Sequence, residues 1–287
     1  MDELRVPGQR RPALAAPAVP GIAALVREAG PLFVAVGVFD GLHRGHLYLL
    51  RQLRRAARRH GARPAVVTFD AHPREIISGD APPLLLDPEE RLVRLAAAGV
   101  EVTVVQHFDE ALRRTSYEDF VARIRERVEL RGFLMTPDAA FGYQRHGTPE
   151  TLGALGRRQG FDVVVVPPLL LDGRQVRSSE IRRAVEAGEL AAARRQLGRA
   201  YSLVGERAAD DPAGRTARLT FRVPVALPPR GRYRAAVGPA WEPGSVGSGS
   251  AVAGTAIVRA GGGLEVAANG ALAETARLRV VFQGRRA

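Results

Sequence analysis

The chain has 287 residues, of which 46% are hydrophobic and 25% charged, and it contains no cysteine. That length supports one large or two smaller globular domains, and the missing thiols exclude disulfides, thiolate nucleophiles and cysteine-ligated metals. The formal net charge is +12, carried by arginine because the chain has no lysine, and such a balance favours anionic partners: nucleotides, nucleic acid or acidic membrane surfaces.

In chain order, residues 1–30 read as a loose N-terminal arm, with a short helix over Ile22 to Glu28. Pro12, Pro17 and Pro20 break its apolar stretch and no cleavage signature follows, so it is not read as a signal peptide. Leu32 to Phe39 is an apolar run rich in β-branched residues, the signature of a buried strand. Gly45 to His60 carries Leu47, Leu50, Leu53 and Ala57 at helical spacing. The arginines of that helix (Arg51, Arg54, Arg55, Arg58, Arg59) have no aromatics interleaved to stack on bases. They read as a solvated face, and no nucleic-acid partner is expected. Strand and helix signals then alternate. Strands are predicted at Ala65–Phe69, Val100–Val105, Gly132–Met135 and Val163–Val166. Helices are predicted at Pro88–Ala98 (capped by Asp87, stopped by Gly99), Tyr117–Glu129 (capped by Ser116) and Pro149–Gln159 (ended by Gly160). Two short helices, Ser179–Glu186 and Leu190–Leu197, complete the region. The apolar stretch Val163–Leu171 is interrupted by Pro167 and Pro168 and is too short to span a bilayer. A cytoplasmic protein with no membrane partner is expected.

Alternating strands and helices predict an α/β domain over 31–200, a Rossmann-like parallel sheet covered on both faces, with binding at the carboxyl ends of the strands. After about Tyr201 the helical periodicity ends. Runs at Leu219–Val225, Tyr233–Val237, Ala253–Val258 and Leu278–Phe282 predict a small β domain over 201–287, with Pro243–Ser250 as a mobile loop.

Two strings carry chemistry. Gly37-Val38-Phe39-Asp40-Gly41-Leu42-His43-Arg44-Gly45-His46 lies where a strand ends and a helix begins. Its glycines permit a tight turn, and the new helix offers free N–H groups and a positive dipole end, both suited to phosphate. His43 and His46 are three apart at that first turn, so both rings can donate to one phosphate, with added charge if protonated. The string is neither a dinucleotide fingerprint nor a Walker A loop, which needs lysine. Arg177-Ser178-Ser179-Glu180-Ile181-Arg182 places two hydroxyls and a guanidinium at another helix N-terminus; Ser178 is also a plausible N-cap. Read without the resemblance below, either string has a bland alternative as turn or cap.

Together and in this order, the two strings resemble the HxGH nucleotidyltransferase superfamily, and within it the prokaryotic FAD synthetases, bifunctional riboflavin kinase/FMN adenylyltransferases. Thr68-Phe69-Asp70-Ala71-His72-Pro73, then Phe108-Asp109-Glu110 with Ser116-Tyr117-Glu118-Asp119-Phe120-Val121, and then Asp138-Ala139-Ala140-Phe141-Gly142 with Gly147 extend the resemblance over about 31–205. It implies that ATP and FMN are substrates and that Mg²⁺ is the metal. By it, His43, His46, Ser178 and Arg182 are the catalytic residues and, with Ser179, hold the ATP phosphates. Gly37, Phe39, Asp40 and Gly45 lie along the nucleotide. Asp70, His72, Asp138 and Phe141 lie on the FMN side, with Asp138 available to the metal.

The chain departs from the family in three places. Glu180 puts an acid beside the expected phosphates. Thr136 and Ala139 thin the flavin loop. The Pro-Thr-Ala-Asn string of the kinase barrel is missing after Tyr201, and Glu265 is a lone glutamate near the expected kinase acid. The β domain is therefore read as a reduced barrel without kinase activity, with stabilising the first domain or self-association as a homo-oligomer as open roles. Besides FMN adenylyl transfer, three readings stay open: another phosphorylated acceptor, a non-catalytic nucleotide or flavin sensor, and RNA binding motivated by charge alone.

Overall fold

The computed structural model describes residues 18–210, 214–240, 251–272 and 274–286. The first unit is built on five strands: β1 (Leu32–Val36), β2 (Arg63–Phe69), β3 (Val102–Gln106), β4 (Leu130–Met135) and β5 (Asp162–Val165). All pair in parallel in the order β3-β2-β1-β4-β5. The chain winds from β1 outward to β3 and then returns to the other side of β1 with β4. The β1/β4 seam is thus the topological switch point, where a crevice opens beyond the strand ends.

Alternate residues of β1 enter opposite cores. Leu32 and Val34 pack on one face with Phe120, Val121 and Ile124 of α5 (Tyr117–Arg125) and with Leu152 and Leu155 of α6 (Pro149–Gln159). Phe33 and Ala35 pack on the other with Leu50, Leu53 and Ala57 of α1 (Arg44–Arg59) and Leu95 of α3 (Pro88–Ala97). The six arginines of α1, Arg44 among them, are exposed, as a solvated face requires. The sequence-predicted caps are present: Asp87 accepts from the Glu89 and Glu90 amides, Ser116 from Asp119, and Gly160 ends α6 in the left-handed conformation. Two short helices, α2 (Pro73–Ser78) and α4 (Glu110–Arg113), were not legible as elements.

The expected loose arm is corrected over its described part. Residues 1–17 lie outside the described residues, but Val19 bridges to Val104 and Ile22 and Leu25 are buried under the sheet. Val19 exchanges backbone hydrogen bonds with Thr103 and Val105 and so covers the β3 edge. Residues 243–250, read as a mobile loop, also lie outside the described residues.

The second unit is a closed antiparallel barrel of β8 (Ser202–Asp210), β9 (Thr216–Thr220), β10 (Gly231–Pro239), β11 (Val252–Val258), β12 (Leu264–Ala268) and β13 (Arg277–Arg285), ordered β10-β11-β12-β9-β8-β13. β8 and β12 had not been anticipated; Leu203, Leu264 and Val266 join the core of the barrel. Two further helices, α7 (Ser178–Glu186) and α8 (Leu190–Leu197), follow a hairpin of β6 (Leu170–Leu171) and β7 (Arg174–Gln175). Ile181 and Val185 of α7, with Ala193 and Leu197 of α8, share one core with Tyr233, Val237, Val280 and Phe282 of the barrel. The barrel is also pinned to α3 by Arg277, which pairs with Asp87 at 2.7 Å and with Glu89, and by backbone hydrogen bonds between Leu84 and both Pro224 and Ala226.

A candidate nucleotide site at the switch point

Beyond β1 the backbone passes through left-handed conformations at Phe39, Gly41 and Leu42 (φ 54°, 76° and 36°) before α1 begins. Such strain outside glycine persists where surrounding contacts over-determine it. Those contacts come from below. The Asp40 carboxylate is 4% exposed and accepts from the Leu85 amide at 2.9 and 3.1 Å and the Leu86 amide at 3.1 Å. Arg182 donates to Asp40 Oδ2 at 2.9 Å and to the Pro83 carbonyl at 2.6 Å. Arg199, between α8 and β8, donates to the carbonyls of Gly41 at 2.8 Å and Leu42 at 3.3 Å. The Ser178 hydroxyl donates to the Asp40 carbonyl at 2.9 Å. Arg177, not Ser178, is the N-cap of α7, so the capping role read for Ser178 is replaced by a tether to the first string.

Above this base, His43 caps α1: its Nδ1 accepts from the His46 amide at 3.2 Å. A neutral imidazole accepting at Nδ1 carries its proton on Nε2, which makes His43 a donor on its far side. The rings of His43 and His46 stack at 3.7 Å, with Phe39 5.2 Å from His46. Gly45 sits in a close fit, because a Cβ would meet the His43 ring at 3.1 Å and the Val176 carbonyl at 3.3 Å and a neighbour would have to give way slightly. Burial, reinforced by Arg199, lowers the His43 pKa to about 4; burial, and then His43 itself, pushes His46 well down. Both are neutral near pH 7, so the pair acts through N–H donation and not through charge. His46 Nδ1 is buried and has no hydrogen-bond partner among the described residues.

The crevice over the seam has two halves. The polar half, 440 Å³, is lined by Gly37, Phe39, His43, Gly45, His46, Asp138, Ser178 and Ser179, which the sequence had marked, and by Tyr48, Arg145 and Arg177, which it had not. The second half, 560 Å³, is lined by Phe69, Phe108, Phe120, Phe141 and Tyr143. The two share Val36, Gly37, Val38, Ala140 and Arg145, so they form one cleft. The aromatic wall is built from contacts such as Phe69 edge-on to Phe108 at 5.3 Å and Phe141 against Phe120 at 5.1 Å.

Four marked residues do not line either half. Asp40 and Arg182 pair beneath the first string. Asp70 accepts from His107 Nδ1 at 2.6 Å and from the Phe108 amide at 3.1 Å, and so braces the aromatic wall from behind. His72 caps α2, accepting from the Arg74 amide; burial and then Arg182 lower its pKa to about 4. Glu180 also faces away, paired with Arg174 at 3.1 Å. Asp138 accepts from Thr136 at 2.8 Å, which holds its pKa below the ordinary value, and pairs with Arg177 at 3.2 Å. Among the described residues it is the one acid lining the polar half. Arg177 was legible as a neighbour of the two serines. Arg199 follows no motif, and only the folded chain reveals it.

Residues 26–180, more than half of the chain, match the FAD synthetase family. Curated relatives are similar over the same region. A bifunctional riboflavin kinase/FMN adenylyltransferase of Pseudomonas fluorescens is 33% identical over 171 residues, 59% of this chain and 55% of that protein. The Haemophilus influenzae protein of the same name is 30% identical over 64% of this chain and 60% of its own, and that of Escherichia coli K12 is 29% identical over 67% and 62%. The matched region thus spans less than two thirds of these relatives. A crystal structure titled as a macrolide-efflux protein from Streptococcus pneumoniae superposes with a TM-score of 0.75 at 22% identity, covering 94% of this chain and 89% of that one. This likeness extends across the barrel and is one of fold. Among the described residues, no helix is long and apolar enough to cross a membrane. By its matching domain, the chain belongs to the FAD synthetase family.

Proposed function

We propose that the chain is an FMN adenylyltransferase that transfers AMP from ATP to FMN, giving FAD and pyrophosphate. The observation that carries this reading is the joined cleft: a polar half with helix N-termini, imidazoles and hydroxyls, opening into an aromatic half suited to a planar ring system.

An FMN phosphate oxygen attacks the α-phosphorus of ATP as the bond to the β-phosphate breaks in line. The reaction needs no protein nucleophile; it needs alignment and stabilisation of oxygen charge. The α1 N-terminus, the His43 Nε2–H and the hydroxyls of Ser178 and Ser179 supply donors set before substrate arrives, which avoids reorganisation during the step. Gly37 leaves room for backbone close to the nucleotide. Asp40 and Arg182 act from beneath by fixing the loop. Asp138, whose carboxylate lines the cleft, would hold a magnesium ion, which needs only one or two protein carboxylates and would supply neutralisation of phosphate charge.

We further propose that the barrel has no riboflavin kinase activity. The Pro-Thr-Ala-Asn string is absent from 201–287, and the Glu265 carboxylate is taken up by Arg259 at 2.6 Å, with Arg218 at 3.9 Å. Its role is to carry α7 and α8, whose termini hold the first string. The test is a product assay with ATP and Mg²⁺, with FMN in one tube and riboflavin in another. FAD from FMN and no phosphorylated flavin from riboflavin is expected. FMN formed from riboflavin would overturn the second proposal, and absence of FAD would overturn the first.

A further inference from the structure

We propose that Arg177 holds the pyrophosphate end of the bound nucleotide, exchanging its ion pair with Asp138 for phosphate oxygens. This rests on the reading of the polar half as the ATP site. A triphosphate brings several negative charges, and the cleft must meet them. His43 and His46 are neutral. Arg182 and Arg199 donate to Asp40, Pro83, Gly41 and Leu42 under the loop and line neither half of the cleft. Of the residues that line the polar half, the arginines are Arg145 and Arg177.

These two differ in position. Arg145 lines both halves and therefore stands at the junction, where an acceptor phosphate meets the α-phosphate. Arg177 lines only the polar half, next to Ser178 and Ser179 at the start of α7, the end assigned to the departing phosphates. Its side chain is 54% exposed and donates to Gln175 Oε1 (2.5 and 3.1 Å) and to Asp138 Oδ2 (3.2 Å). An exposed pair of this kind is worth about 0–1 kcal/mol, so it yields readily to phosphate, whose oxygens match the guanidinium fork in two-point contact. The same exchange releases Asp138, among the described residues the one carboxylate lining this half.

The test is calorimetric binding of ATP, inorganic pyrophosphate and AMP to the full chain and to Arg177→Ser and Arg177→Lys, with melting temperatures alongside. Loss of a charge-assisted contact predicts that Arg177→Ser binds ATP and pyrophosphate about 10- to 100-fold more weakly, AMP within about twofold of the parent, and that Arg177→Lys restores part of the loss. An unchanged affinity for ATP and pyrophosphate, or an equal loss for AMP, would overturn the proposal. In metal-free buffer Asp138→Asn removes the competing carboxylate, so pyrophosphate should bind more tightly; weaker binding would overturn the exchange. These readouts need no turnover. A chain that makes no FAD but shows this selective loss refutes the FMN acceptor while leaving Arg177 in its role.

Discussion

The polar half of the cleft takes its shape from backbone held in place from below, whereas the aromatic half takes its shape from side chains packed against one another. In the first, Phe39 to Leu42 is held in a left-handed path by Asp40, Arg182, Arg199 and Ser178, groups up to 158 residues away in the chain. In the second, Phe69, Phe108, Phe120 and Phe141 lean on each other, with Asp70 bracing the Phe108 amide. A substitution in the first half should therefore act on geometry and fold together. One in the second should act on affinity for one substrate.

The largest effect is expected at Asp40. Asp40→Ala leaves the Arg182 charge buried without its partner and two amides without an acceptor, a loss of about 3–5 kcal/mol readable by denaturant unfolding. Stability within about 1 kcal/mol of the parent would contradict the buried clamp. Next is His46. Although its Nδ1 is buried, that atom has no partner among the described residues, so His46→Ala should lower kcat/KM for FAD formation about a hundredfold or more while moving the unfolding free energy by only about 1 kcal/mol. Equal activity, or loss of the fold, would refute that separation.

Acid should act on the same half. In the unfolded chain His43 titrates at its ordinary value, 6.5, and in the folded chain at about 4. Folding thus keeps the ring neutral. The stability this contributes is fully present above pH 6.5 and is lost as pH falls toward 4. His43→Asn, which cannot titrate, should lose less stability between those limits than the parent chain; parallel pH curves would count against it.

For the aromatic half, Phe108→Ala should raise KM for FMN about tenfold and leave KM for ATP unchanged, the size of one lost ring-stacking contact. A matching rise in both constants would erase the distinction between halves. The smallest effect belongs to Glu180→Gln. Its carboxylate faces Arg174, an exposed pair of little worth, so KM for ATP should stay within about twofold.

The parallel sheet was legible because buried strands read as short β-branched runs between helices with strong caps, as at Asp87, Ser116 and Gly160. The first string was legible because its glycines and histidines fall at a strand-to-helix junction. The clamp beneath it was not. Arg182 read as a ligand of phosphate and Asp40 as lying along the nucleotide because local sequence cannot show that Leu85 and Pro83 return beneath the loop to bind them. Arg199 sits in no periodic pattern at all. In the barrel, β8 and β12 escaped notice because Ser202–Asp210 mixes charge with apolar residues and Leu264–Ala268 is too short to show alternation beside the glycines at 261–263. The packing of α7 into the barrel core could not be read from an amphipathic helix, whose apolar face does not name its partner.

One continuous cleft holding nucleotide and flavin side by side is tested most directly by equilibrium competition with FAD, which carries both parts in one molecule. With a fluorescent ATP analogue bound in one experiment and FMN in another, FAD should displace both, and Phe108→Ala should weaken FAD and FMN together while sparing the ATP analogue. Displacement of only one of the two by FAD would mean that the halves are not one site.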